Sequence, residues 1–251
     1  MKLKRFISHR GANTDAVENT MEAFKIAHDY GFKLIEIDVQ MSADGELFLF
    51  HDETCTRLCN CCTDAVTSMT LKELQNIPLI HTDIIGKYNI PSFDEYLDWM
   101  LTNDIETNIE IKVTKCCKRY EAELAYKVLK TLDKYPSLRK RVFISSFSDV
   151  VMKILNTTPR YNRSKLVKIE NWIKEFNRID TEVYKDFIDN LYDAIIVNYD
   201  CLTKKKVNYL KEKFGRVLVY SVKTDEQVKN LLKWGVDSMF VDRKEYFDIR
   251  L

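Results

Sequence analysis

A (β/α)8 barrel is the architecture this sequence predicts, and three observations point to it. Eight short β-rich runs alternate with longer amphipathic stretches along nearly all 251 residues, the pattern of a parallel sheet covered by helices. That length suits one such barrel, and about three-quarters of the unfolded surface is buried at this size. An open doubly wound sheet would want a glycine-rich phosphate loop after an early strand. With six glycines, the chain has no GxGxxG and no Walker A motif.

The strand candidates, in order, are 5–8, 34–39, 108–113, 142–145, 165–169, 194–198, 217–222 and 238–241. Each is a short apolar or β-branched run. Helical patterns fill the intervals at 20–30, 117–134, 148–156, 171–190, 203–214 and 224–233. In the first, Met21, Ala23, Phe24 and Ala27 share one face. The last opens on Thr224, with Gln227 three residues on, the signature of a capping box.

Between the second and third of these strands lies more chain than one crossover needs. A run at 46–50 follows Asp44-Gly45, a hairpin turn signal, so a small hairpin is expected to bring His51 back to the strand ends. Residues 53–90 read as an insertion, with a Cys-rich loop, a short helix at 71–74 and an irregular segment over 78–90. A helix from about 92 to 101 completes the crossover, and residues 1–251 form a single domain.

Composition narrows the function. Thirty-nine basic side chains against 38 acidic ones leave a net charge of +1, which argues against nucleic acid as a partner. The one tight cluster, Lys204-Lys205-Lys206, opens a helix and reads as a solvated face. No apolar run has the length of a signal peptide or a membrane span, so a cytoplasmic location is expected. Seven cysteines then read as unpaired thiols. The spacing of Cys55, Cys59, Cys61 and Cys62 fits no common zinc pattern, so these are taken as incidental loop thiols.

The chemistry gathers at strand ends, where the active site of such a barrel lies. His9 and Arg10 follow the first strand, and Gly11 is expected to let the loop clear the substrate. Alternation along a strand turns Glu36 and Asp38 inward together, with Glu110 and Lys112 doing the same on the next barrel strand. Three converging carboxylates repel one another and need a cation, and hard oxygen ligands suit Mg2+ or Ca2+. Mg2+ is favoured because the cytosol supplies more of it.

Such a set suits phosphodiester cleavage. A metal stabilises charge on the phosphate, Arg10 and Lys112 hold its remaining oxygens, and His9 and His51 divide the proton transfers. The residues leave open which histidine is acid and which is base. His28, inside the first helix, and His81, inside the insertion, read as surface or packing groups.

The chain resembles the glycerophosphodiester phosphodiesterase family through His9-Arg10-Gly11, Glu18-Asn19-Thr20, Glu36-Ile37-Asp38, Asp44-Gly45, His51-Asp52, Arg57, Ile90-Pro91, Glu110-Ile111-Lys112, Ser146-Phe147, Gly235-Val236-Asp237 and Asp242. These occur in order over nearly the full length. The resemblance implies a barrel of the PLC-like phosphodiesterase type with a small insertion after strand two. It implies hydrolysis of small glycerophosphodiesters, such as glycerophosphocholine, to sn-glycerol 3-phosphate and an alcohol. Glu36, Asp38 and Glu110 fall on the family's metal ligands, and His9 and His51 on its acid-base pair. The resemblance also implies that the substrate's own 2-hydroxyl can attack first, through a cyclic phosphate that water opens; the residues fit direct water attack equally.

Some positions depart from the pattern. Val17 stands in place of a proline, Val241 in place of a threonine, and the loop at Cys59 lacks its usual glycine. Tyr220-Ser221-Val222-Lys223 replaces Trp-Thr-Val-Asn. This keeps an aromatic substrate contact at Tyr220 and changes its shape where the leaving alcohol would sit. Two other functions fit less well. A lipid phosphodiesterase of the lysophospholipase D or sphingomyelinase D kind wants an apolar rim facing the membrane, and Phe48 and Phe50 read as packed inside the hairpin. A non-catalytic barrel that binds a phosphorylated ligand would be expected to have lost catalytic groups, and none is missing.

Overall fold

The structure, a computed structural model, describes residues 4–59, 63–81, 84–115, 117–158 and 161–249. Its strands are β1 (Phe6–His9), β2 (Leu34–Met41), β3 (Leu47–Leu49), β4 (Leu79–His81), β5 (Ile84–Tyr88), β6 (Glu106–Ile111), β7 (Val142–Ser146), β8 (Asn162–Val167), β9 (Ala194–Asn198), β10 (Val217–Val222) and β11 (Ser238–Val241). The helices are α1 (Met21–Asp29), α2 (Leu71–Gln75), α3 (Phe93–Thr102), α4 (Lys118–Leu132), α5 (Asp149–Asn156), α6 (Trp172–Arg178), α7 (Tyr184–Asp189), α8 (Lys204–Phe214) and α9 (Asp225–Trp234).

Eight parallel strands run β1-β2-β6-β7-β8-β9-β10-β11, and pairing of β11 with β1 closes them into a barrel. Every residue of β2 is buried, as expected where helices cover one face and the lumen the other. The outward side chains Ile35, Ile37, Val39, Ile109 and Ile111 pack in the layer between barrel and helices. Inside, Ile7, Leu34, Phe143, Leu166, Ala194, Ile196, Leu218 and Phe240 make a separate apolar core. α1 starts where its sequence signals it, with the Thr20 hydroxyl accepting from the Ala23 amide and Met21, Ala23, Phe24 and Ala27 buried. The capping box at Thr224 and Gln227 is formed as well.

β3 runs antiparallel to β2, pairing Val39 with Leu49 and Met41 with Leu47, so the hairpin expected over 46–50 is present. Behind it, the inserted stretch builds its own apolar cluster, in which Phe48, Phe50, Leu58, Val66, Leu74 and Tyr88 are buried. Cys61 and Cys62, singled out with Cys55 and Cys59, lie outside the described residues.

Several elements differ from expectation, among them β6, which lies at 106–111 rather than 108–113. The segment over 78–90, expected to be irregular, carries the two-stranded hairpin β4-β5; its Gly86 and lysine obscured the alternation. The fifth barrel strand lies at 162–167 rather than 165–169. Its outward Arg163 and Lys165 are both buried. Arg163 donates to the Asn156 side chain at 2.6 Å, and Lys165 pairs with Asp149 and Asp186. The single helix expected over 171–190 is α6 and α7 joined by a π-helical turn, Ile179–Val183. That turn buries Ile179 and Val183, whereas periodicity alone shows only a continuous helical stretch.

Candidate active site

Strand register assembles the polar groups. His9 pairs with Glu36, Glu36 with Asn108, and Asp38 with Glu110, so neighbouring inward positions of β1, β2 and β6 stack at the carboxyl ends of the strands. Ligand atoms of Glu36, Asp38 and Glu110 all lie within 4.8 Å of one another. His9, Arg10, Glu36, His51, Glu110, Lys112 and Tyr220 line one cavity of about 120 Å³.

The backbone works hard to aim these groups. Arg10 and Asn19 adopt left-handed conformations, with φ of 61° and 56°, a strained choice for residues with a Cβ. Gly11, at φ 85°, does not serve to clear the substrate as expected. A Cβ there would sit 2.8 Å from the backbone of Ala23, so the glycine allows the loop to press onto α1, where the Ala12 amide donates to the Ala23 carbonyl.

Each histidine is oriented by a carboxylate. His9 Nδ1 lies 2.9 Å from Asp242 Oδ1, which also accepts from Asn13 Nδ2 at 2.7 Å. His51 Nδ1 lies 2.6 Å from Asp52 Oδ1. An ionised carboxylate only accepts, so each Nδ1 carries the proton and each Nε2 is the free basic position. Both carboxyls stay ionised. Burial pushes Asp242 up, but His9 and Asn13 outweigh it, and its pKa falls below the usual value. Asp52 falls further still, as His51 and Arg57 overcome its burial.

The charges form a connected network. Arg10 donates to Glu18 at 2.7 Å and its Nε lies 3.3 Å from Asp38. Arg57 donates to Glu18 and to Asp52, each at 2.7 Å. Lys112 donates to Glu110 at 3.1 Å and lies 3.7 Å from Asp38 Oδ1. Asn19 donates to Asp38 Oδ2 at 2.9 Å. The shifts follow from this wiring. Glu36, desolvated and facing Asp38 and Glu110, has its pKa raised well above the ordinary range. Asp38 is equally buried, but Lys112, Arg10 and His51 drive its pKa down.

Whether these residues fit a divalent cation can be judged from their own hydrogen bonds. Asp38 Oδ1 is buried without a hydrogen bond among the described residues, and Glu36 sits among like charges that nearby cations only partly offset. An all-oxygen set of this charge matches the needs of Mg2+ or Ca2+, so the residues fit. The phenol of Tyr220 is also buried without a hydrogen bond among the described residues, and Phe147 meets its ring edge-on with centroids 5.9 Å apart.

Several working residues were not assigned roles from the sequence. Asp52, Asp242, Asn13, Asn19, Glu18 and Arg57 act on the histidines and carboxylates rather than facing the cavity first. Gln40 is another: its amide donates to the carbonyls of Phe50 and Asp52 at 2.7 and 3.0 Å, pinning the loop that carries His51. The signals available for them were the adjacency of His51 and Asp52 and the place of Glu18, Asn19, Arg57 and Asp242 in the motifs that carry the family resemblance. Phe48 and Phe50 are fully packed and offer no membrane-facing rim.

A model of the glycerophosphoryl diester phosphodiesterase family matches residues 9–245. Among curated proteins, a glycerophosphodiester phosphodiesterase of Bacillus altitudinis is 26% identical over 242 residues, covering 96% of this chain and 95% of its own. A crystal structure of a putative glycerophosphoryl diester phosphodiesterase from Silicibacter pomeroyi superposes with a TM-score of 0.85 at 20% identity, covering 98% and 92% of the two chains. An Oleispira antarctica phosphodiesterase, solved with the product sn-glycerol-3-phosphate, gives 0.79 at 21% identity, covering 98% and 96%.

Proposed function

The chain belongs to the glycerophosphoryl diester phosphodiesterase family, a family of hydrolases, and on that premise we propose that it cleaves glycerophosphodiesters such as glycerophosphocholine or glycerophosphoethanolamine to sn-glycerol 3-phosphate and the free alcohol. One observation carries this proposal. Two histidines, each with Nδ1 held by an aspartate, share a cavity with a three-carboxylate cluster and two cations.

Glu36, Asp38 and Glu110 would hold one divalent cation, Mg2+ by preference and Ca2+ by the same oxygen chemistry. When bound, it supplies a Lewis acid that offsets charge on a non-bridging phosphate oxygen. Arg10 turns Nη1 to Glu18 and Nε toward Asp38, and its Nη2 is outside any hydrogen bond with the described residues. That edge and the Lys112 ammonium meet the other phosphate oxygens. One histidine Nε2 takes the proton from the nucleophile, and the other, protonated, delivers one to the leaving alkoxide. Water adds across the P–O bond: its hydroxyl ends on phosphorus and its proton on the alcohol. The same two bases serve a route through the glycerol 2-hydroxyl and a cyclic phosphate. Tyr220 borders the space for the leaving alcohol.

No helix among the described residues is long and apolar enough to cross a membrane. We place the activity in the cytosol, where the exposed thiol of Cys117, which is in no disulfide, stays reduced.

A coupled assay of sn-glycerol 3-phosphate release from several glycerophosphodiesters tests the proposal, with EDTA and then metal add-back. Release that EDTA abolishes and Mg2+ restores is expected. Failure to release it from any of these substrates overturns the substrate class, and full activity in EDTA overturns the metal role.

A further inference from the structure

α6 differs from the other helices of the shell. A helix on a barrel ordinarily buries an apolar stripe against the sheet. None of the seven residues of α6 is buried, although three are large and apolar. Trp172 and Phe176 lean on Tyr209 of α8, with ring centroids 6.0 and 5.3 Å away, and Lys206 lies 5.1 Å from the Trp172 ring centre. Ile173 is left 89% exposed.

The position of this helix gives its exposure meaning. α6 begins just past the carboxyl end of β8, and α8 begins just past that of β9, so both start on the face that carries the active site. Phe147, immediately beyond β7, is 42% exposed on the same face. It lines both the catalytic cavity and a second cavity of about 390 Å³ that reaches Arg178 of α6.

The charge around this apolar point is positive. Segments 168–178 and 200–206 hold six cations against three carboxylates, in a chain whose net charge is +1. Two of those carboxylates are already engaged: Glu170 with Lys168, and Glu175 with Arg178. Lys174, Lys204 and Lys205 are exposed, and no ion pair holds them among the described residues.

We propose that the α6–α8 rim docks the catalytic face onto an anionic phospholipid surface. Ile173 enters the acyl boundary, Trp172 sits at headgroup level, and Lys174, Lys204 and Lys205 meet lipid phosphates. A second copy of the chain fits this face less well. A seven-residue helix is about 10 Å long, far short of the roughly 800 Å² per partner in a stable interface. Interface cores are also depleted in lysine. Docking concerns where the enzyme works and stands apart from the reaction proposed above.

Co-sedimentation of the full chain with vesicles decides it, using phosphatidylcholine alone and phosphatidylcholine mixed with phosphatidylglycerol. The wild-type protein should bind the mixed vesicles, release in high salt and leave neutral vesicles largely unbound. Ile173→Asp should weaken binding about tenfold or more, and each of Lys204→Glu and Lys205→Glu about fivefold. All three should melt like wild type and turn over soluble glycerophosphocholine at its rate if that substrate is used. Equal binding to both vesicle types, no binding to the mixed ones, or variants that bind like wild type would overturn the proposal. So would a dimer in solution that Ile173→Asp dissolves, which would assign the face to a second copy. Loss of turnover in the wild type, with binding intact, would count against the reaction alone.

Discussion

At their carboxyl ends β1, β2 and β6 present His9, Glu36, Asp38, Asn108 and Glu110 to the barrel lumen, while the side chains that β8 to β11 turn into it include Leu166, Ile196, Leu218 and Phe240. The parallel ladder is the same on both sides, so backbone geometry does not distinguish them. The difference lies in what each half needs in order to stay buried. Leucine and phenylalanine gain from leaving water. Buried carboxylates lose, and persist only where Arg10, Lys112, Asn19 and the two histidines compensate them. The apolar half therefore holds the barrel closed, and the charged half is maintained for chemistry at a cost to stability. Arg10 and Asn19, both left-handed, serve the charged half.

Substitutions on the two sides should accordingly fail in different ways. Asp38→Ala has the largest expected effect, lowering kcat by about a thousandfold or more. It leaves the fold intact, and circular dichroism beside the coupled assay would show both. A folded Asp38→Ala enzyme with ordinary turnover would remove the carboxylate cluster from the mechanism. His9→Ala and His51→Ala should each cost about a hundredfold in kcat, with KM for the phosphodiester changing far less.

On the apolar side, Leu218→Ala should lower unfolding free energy by about 3 kcal/mol in urea titrations, and kcat at low temperature should survive. Collapse of kcat in well-folded Leu218→Ala would show that the division is too simple. Asp242→Asn tests the coupling between His9 and its carboxylate. It should cost about tenfold in kcat through loss of the imidazole's orientation, and should shift the pH–rate profile, which a purely structural role would not.

The smallest expected effect is on acid stability. Burial pushes Glu18 up, but Arg57 and Arg10 outweigh it and hold its pKa below the ordinary 4.5. A carboxylate lowered by folding contributes stability above its unfolded pKa, and loses it as pH falls through the folded value. Glu18→Gln should therefore flatten the loss of melting temperature below about pH 4.5. An unchanged acid slope would mean the Arg10–Glu18–Arg57 bridge adds nothing to the fold.

Much of this was legible in one dimension. The eight-fold alternation of strand and helix, the carboxylates two residues apart on β2 and the Asp44-Gly45 turn that returns His51 are local patterns, and local sterics decide them. β8 begins three residues before the expected strand because Arg163 looks like a surface group until Asn156 is seen beside it. In the 78–90 strands Gly86 and Lys87 hide the alternation, and the π turn is selected by the packing of Ile179 and Val183, which periodicity does not show.

The sequence by itself determined the architecture and the list of reactive groups, because periodicity and residue chemistry belong to neighbours in the chain. Only the tertiary structure decided what each group answers to. His9 is oriented by Asp242, 233 positions away, and Gly11 is fixed by contact with α1 rather than by a substrate. Glu36 and Asp38, two residues apart, carry opposite pKa shifts because different charges face them. Electrostatic energy depends on distance through space, and barrel closure sets those distances.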